Sequence, residues 1–175
     1  EDIRYVDGFL ESEWFGKEQV LVGVHLGSSK RWVTKRWPLR YIADLCERLS
    51  LRDIRVVITG EQADSYELRQ LQELTKKSKP VIAAGRTTIN QLIALIMRCD
   101  VFVSPDSAPL HIAAGVQTPA VALFGPTDPG RHAPDAAEDM AVINKKLSCQ
   151  PCYKPECSSP ECMEQISVDE VEEAI

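Results

Sequence analysis

Residues 100–130 read DVFVSPDSAPLHIAAGVQTPAVALFGPTDPG, two apolar runs separated by a helix-length segment. DVFVS, 100–104, is dense in β-branched and aromatic residues and reads as a strand. Residues 107–115 follow as a helix: Pro109 suits a first turn, and Gly115 supplies a stop. PAVALF, 119–124, is a second strand, ending in the Gly- and Pro-rich loop GPTDPG. Neither strand alternates apolar with polar residues, so both faces are covered, as in a parallel sheet whose crossovers are helices.

The same alternation extends towards the amino terminus. Residues 19–25 (QVLVGVH) and 54–59 (IRVVIT) read as strands, and Val81 to Ala83 as a short one. Between them, 38–50 is a helix with Ile42, Leu45, Cys46 and Leu49 on one face, and 64–77 is a helix with Leu68, Leu71 and Leu74 inward. Residues 88–98 form a helix capped by Thr87 or Thr88. A last strand lies near Met140–Ile143 and a last helix begins near Ser167. The fold class is α/β, a Rossmann-like three-layer domain with a parallel sheet. Residues 1–18 are a linker or an entry helix, 19–146 the sheet domain, and 147–175 a cysteine-rich loop and C-terminal helix. The start at Glu1, and an end at Ile175 within a helix-like pattern, suggest a piece of a longer protein.

Composition narrows the class. Of 175 residues, 44% are hydrophobic and 26% charged, which excludes a mostly disordered chain. No apolar run reaches the roughly 20 residues that span a bilayer, and Glu1 to Asp7 lack a signal-peptide core. A net charge of -6 argues against general nucleic-acid binding. Against that acidic background Lys30, Arg31, Lys35 and Arg36 crowd one segment and can attract an anion. Cys46 and Cys99 sit in apolar helical stretches as core thiols, and a sheet domain of this size needs no disulfide, which fits a reducing cytosol.

In open parallel sheets ligands bind beyond the carboxyl ends of the strands. That rule selects the loops His25–Trp37, Gly60–Asp64, Ser104–His111 and Phe124–Pro134. In the third, Ser107 or Asp106 can cap a helix, or the helix N-terminus can stay open to a phosphate, with Ala108 admitting close approach and His111 one turn in. In the first, Ser28, Ser29 and Lys35 can solvate a diphosphate, with Lys35 as a compact point charge; a plain solvated basic loop is the alternative. In the second, Glu61 or Asp64 can hold a ribose or cap the next helix. In the fourth, Thr127 can reach a phosphate or sugar, or the loop is a rigid connector. No Gly-x-Gly-x-x-Gly follows the first strand, which disfavours a dehydrogenase.

Three segments in this order resemble glycosyltransferase family 9, the bacterial ADP-heptose:lipopolysaccharide heptosyltransferases. SPDSAPLHIAAGVQTPAVALFGPTDP is similar to the family's Asp-Ser/Thr-Gly-x-x-His block with its trailing strand and Gly-Pro-Thr loop. TKRWP resembles its Lys-x-Trp-Pro, and CQPCYKPECSSPECMEQISVDEV a cysteine-rich ending found in many members. The resemblance implies the C-terminal, donor-binding half of a GT-B fold and sugar transfer with inversion from an ADP-sugar to a lipid-linked saccharide of the lipopolysaccharide core. By position, Ser28, Ser29 and Lys35 would contact the diphosphate, and Glu61 or a neighbour the ribose. Asp106, Ser107, Ala108 and His111 would surround phosphate and sugar. Ala108 stands where Gly is commoner and narrows the backbone approach; Ser28 and Ser29 replace Thr of some members. The catalytic base and the acceptor site would belong to an N-terminal domain outside this chain. The chemistry needs no cofactor. The location implied is cytoplasmic, with the full-length protein at the inner-membrane surface.

Cys149, Cys152, Cys157 and Cys162 are spaced Cys-x2-Cys-x4-Cys-x4-Cys. Four thiolates this close can enclose a structural Zn²⁺, and three can hold an iron–sulfur cluster; free or disulfide-linked cysteines stabilising a loop are the alternative. The competing functional reading is a non-catalytic nucleotide-binding module whose zinc-stabilised tail docks another protein.

Overall fold

A computed structural model describes residues 1–13, 19–27, 31–61, 65–135 and 139–175. In chain order the elements are α1 (Asp2–Glu13), β1 (Leu21–His25), a 3-10 turn (Val33–Lys35), α2 (Leu39–Leu51), β2 (Arg55–Thr59), α3 (Ser65–Leu74), β3 (Val81–Ile82) and α4 (Ile89–Ile96). There follow β4 (Val101–Pro105), α5 (Ala108–Gly115), β5 (Ala120–Phe124), α6 (Pro129–His132), β6 (Met140–Asn144), α7 (Glu161–Glu164) and α8 (Val168–Glu173). The strands form one six-stranded sheet in the order β3-β2-β1-β4-β5-β6, every pair parallel. This is the Rossmann strand order, which reverses between β1 and β4 and opens a crevice there. No helix among the described residues is long and apolar enough to cross a membrane.

Alternate residues of each strand feed two cores. Val22, Val24, Val56, Ile58, Val103 and Leu123 pack with α2 and with Met163, Ile166, Val168 and Val171 of the C-terminal segment. Leu21, Val57, Phe102, Ala122 and Phe124 pack with α1, α4 and α5 on the opposite face. Gly23 sits where a Cβ would lie 2.5 Å from Phe102 Cδ2 and 2.8 Å from Cys99 Sγ, so its missing side chain lets the Phe102 ring lie across β1.

Residues 2–13 form helix α1. Val6 and Leu10 are buried against α4, and Arg98 donates to both carboxylate oxygens of Asp7 at 2.7 and 3.0 Å. Trp14 and Phe15 lie outside the described residues. On α3 the inward expectation fails for Leu74, which is 51% exposed, while Leu71 is buried and Leu68 partly so. Thr75, one full turn after Leu71, takes the inward place and donates its hydroxyl to Leu71 O at 2.7 Å. Thr88, not Thr87, caps α4 in a reciprocal box with Gln91.

The C-terminal segment is fastened to α2 and to the chain just before it by side-chain bonds: Trp37 Nε1 donates to Ile166 O at 3.0 Å and Tyr41 Oη of α2 to Glu164 O at 3.1 Å. Ser167 caps α8 in a box with Glu170, whose other oxygen accepts from Lys145 Nζ at 2.6 Å. The Lys145 bond first, then the Ser167 N–H, holds the Glu170 carboxyl down from its usual 4.5 to about 2. A depressed carboxylate stabilises the fold above its unfolded pKa and loses that contribution as pH falls through the folded one. Thermal stability is therefore expected to lose an increment between about pH 4.5 and 2 that Glu170→Gln does not lose. Melting scans of both proteins across that range check it; parallel profiles would show that Glu170 is not a contributor.

Candidate functional site

An open cleft of about 650 Å³ lies over the carboxyl ends of β1, β2, β3 and β4, at the point where the strand order reverses. One wall is His25, Gly27, Trp32 and Lys35; the middle is Gly60 and Glu61; the far wall is Gly85, Thr87, Thr88, Ile89 and Leu92. The residues Asp106 to Pro109, between β4 and the first turn of α5, complete it.

The 3-10 turn brings Lys35 into the cleft. Its Nζ lies 4.8 Å from the Trp32 ring centroid and donates to Asp106 Oδ2 at 2.7 Å. The pair is well shielded, with side chains 15% and 7% exposed. An ammonium has three donor hydrogens, so Asp106 does not exhaust it. Asp106 Oδ2 also accepts the Thr127 hydroxyl at 2.7 Å.

Ser107 occupies the N-cap position of α5 but makes no side-chain cap; its hydroxyl shares a 3.0 Å hydrogen bond with Ser104. Asp106 is engaged by Lys35 and Thr127. Of the two alternatives for this segment, the capped helix is therefore not formed, and the positive end of α5 meets the cleft without a carboxylate on it. His25 Nδ1 and Thr59 Oγ1 are 3.0 Å apart. Burial, then the charge of Arg36, pushes the His25 imidazole down to about 4. At neutral pH it is uncharged, and Lys35 is the cation that lines the cleft among the described residues.

Lys35, Glu61, Asp106, Ser107 and Ala108 thus come together on one cleft. Thr127 does not line it: the residue is 2% exposed and stands behind Asp106. His111 is exposed on α5 and is not among the cleft residues. Ser28, Ser29 and Asp64 lie outside the described residues. Arg36 turns away to pair with Glu67 of α3 at 2.7 Å. His25 falls in a selected loop without an expected role, and the far wall from Gly85 to Leu92 lies outside the four loops. Strand β3 is only two residues long, and the carboxyl-end rule applied to it would have selected the loop that follows.

The cysteine expectation takes a different form in three dimensions. All six thiols are free. Among the described residues no group of three or more His, Cys, Asp or Glu is disposed to hold a metal ion. Cys162 is drawn into the core, its Sγ 3.2 Å from where a Gly125 Cβ would stand, whereas Cys149 and Cys157 are exposed. Burial, reinforced by the neighbouring thiols of Cys152, Cys149 and Cys157, pushes the Cys162 thiol up to about 11.

Comparison with known proteins places the chain in a family. Lipooligosaccharide heptosyltransferase 2 of Haemophilus influenzae is 35% identical over 112 residues, covering 62% of this chain and 32% of that protein. The solved glycosyltransferase family 9 protein of Veillonella parvula superposes with a TM-score of 0.80 at 25% identity, over 99% of this chain and 50% of that one. E. coli ADP-heptose lps heptosyltransferase II gives 0.77 at 24% identity, over 99% of this chain and 49% of that one. The chain therefore spans a third to a half of the length of these relatives. The family model for glycosyltransferase family 9 (heptosyltransferase) matches residues 10–163. This chain belongs to glycosyltransferase family 9.

Proposed function

We propose that this chain is the donor-binding half of an inverting glycosyltransferase, holding an ADP-activated heptose or related sugar by its diphosphate for transfer to the lipopolysaccharide core. The observation that carries the reading is that the Lys35 ammonium and the uncapped amino end of α5 line a single cleft at the strand-order reversal. A pyrophosphate set there would meet a point charge from one side and helix N–H groups from the other. Ile89 and Leu92 on the far wall offer an apolar bed for a purine, and Glu61 at the end of β2 is placed for ribose hydroxyls.

In this reading the acceptor hydroxyl attacks the anomeric carbon from the face opposite the leaving group. Its proton passes to a base supplied from outside these residues, and the C–O bond to the β-phosphate breaks. Lys35 and the α5 amino end stabilise the negative charge that gathers on the departing ADP. No step calls for a metal. The acceptor is a lipid-linked saccharide, so the work is done in the cytoplasm at the inner-membrane surface.

Calorimetry on the 175-residue chain tests the reading. ADP is expected to bind, with UDP on the order of tenfold weaker, a difference of about 1.4 kcal/mol. Sugar transfer by this chain alone is expected to be negligible. Absence of any nucleoside-diphosphate binding would refute the donor assignment; full turnover by this chain would refute the placement of the base elsewhere.

A further inference from the structure

We propose that residues 152–154 of the cysteine-rich loop form a strap that positions Lys35 and Asp106 for the donor, acting through Thr34 and Thr127 as positioning residues. The proposal rests on the donor reading above. Its starting point is that both members of the ion pair are set from behind by residues that do not line the cleft. Thr127 donates to Asp106 Oδ2 at 2.7 Å, onto the oxygen that accepts Lys35. Thr34, next to Lys35 in the 3-10 turn and likewise buried, donates its hydroxyl to Lys154 O at 2.7 Å.

The same stretch of loop holds the other side. The backbone N–H groups of Cys152 and Tyr153 donate to Pro126 O at 3.1 and 2.9 Å, immediately before Thr127. Gln150 Nε2 donates to Gly125 O one residue earlier. Three consecutive residues, 152 to 154, thus tie the chain beside Asp106's support to the chain beside Lys35. These two segments follow β1 and β5, which are not neighbours in the sheet. Hydroxyl bonds in dry surroundings fix direction as well as distance, and loss of one lets an ammonium or carboxylate rotate off target.

The strap also accounts for the position of the cysteine-rich loop in the fold. Cys162 is seated against Gly125, and Met163 is fully buried in the core that α2 shares. The loop is anchored at its far end and meets the site at its middle.

The test compares Thr127→Val and Thr34→Val, which keep shape and remove the hydroxyl, with Thr127→Ser and Thr34→Ser, which restore it. Two readouts are taken on the 175-residue chain. Without ligand, the ¹⁵Nζ and ¹³Cε signals of Lys35, assigned by their loss in Lys35→Arg, are expected to shift in each Val variant and return towards wild type in each Ser variant. With ADP, each Val variant is expected to bind roughly threefold to tenfold more weakly, the range of one hydrogen bond. That loss is expected to vanish when measured on a Lys35→Ala background, since the hydroxyls act through Lys35 and its partner. Unmoved Lys35 signals in the Val variants, or a binding loss that persists at full size without Lys35, would overturn the strap. A wild-type chain with no ADP affinity would sink the donor reading instead, and the Lys35 signals would still judge the strap.

Discussion

Phe102→Ala is expected to lower the free energy of unfolding by about 3–5 kcal/mol, the usual range for emptying a large aromatic site in a close-packed core. Phe102 is fully buried in β4, the strand that delivers Asp106 to the cleft. Its ring lies against Gly23 of β1 and joins the core shared by α1, α4 and α5. For a chain of this size each kcal/mol shifts the midpoint by roughly 2–4 °C, so thermal and urea melts resolve the change easily. The Gly23 contact supplies a sharper version. Gly23→Ala alone places a methyl 2.5 Å from Phe102 Cδ2 and is expected to be strongly destabilising. On the Phe102→Ala background the closest clash is gone and only Cys99 Sγ at 2.8 Å remains, so the double variant is expected to be more stable than the sum of the two losses predicts. Strict additivity, or a Phe102→Ala loss below about 1 kcal/mol, would mean that this contact does not organise the β1–β4 boundary.

That boundary was legible in the sequence because its strands are covered on both faces. Val22 and Val121 have only apolar chain neighbours, and β1 and β4 turn polar only near their carboxyl ends, at His25 and Ser104; a run of that kind between helix-length segments admits few topologies. Lys35 and Asp106 were legible for a related reason: the carboxyl-end rule needs only the strand ends. What could not be read was direction. Thr127 lies in the expected loop, yet its hydroxyl turns inward to Asp106, and His111 turns outward. Either orientation is open to a helix or loop residue until tertiary partners choose. Leu74 failed similarly, because a spacing of three places it after Leu68 and Leu71, while the inward place falls to Thr75 just past the end of α3. The short helix α7 escaped notice altogether. Its four residues carry too little periodicity to signal, and Cys162 and Met163 within it are buried by contacts with β5 and α2.

Lys35→Ala is expected to weaken ADP binding on the order of 10- to 100-fold, the range of one charge-assisted hydrogen bond to an ionised group. More is lost than an attraction. Asp106 is only 7% exposed and is neutralised by Lys35 at 2.7 Å; without that partner a carboxylate faces the incoming diphosphate, and like charges in a shielded cleft repel strongly. The two contributions can be separated. Asp106→Asn added to Lys35→Ala removes the repulsion but restores no cation, so the double variant is expected to bind ADP more tightly than Lys35→Ala and more weakly than wild type. Raising ionic strength is expected to narrow the gap between wild type and Lys35→Ala, because screening weakens the attraction and the repulsion together. A Lys35→Ala chain that binds ADP within twofold of wild type would place the diphosphate elsewhere. A double variant no better than the single would show that Asp106 carries its charge away from the ligand, and the ion pair would then be part of the scaffold rather than of the donor site.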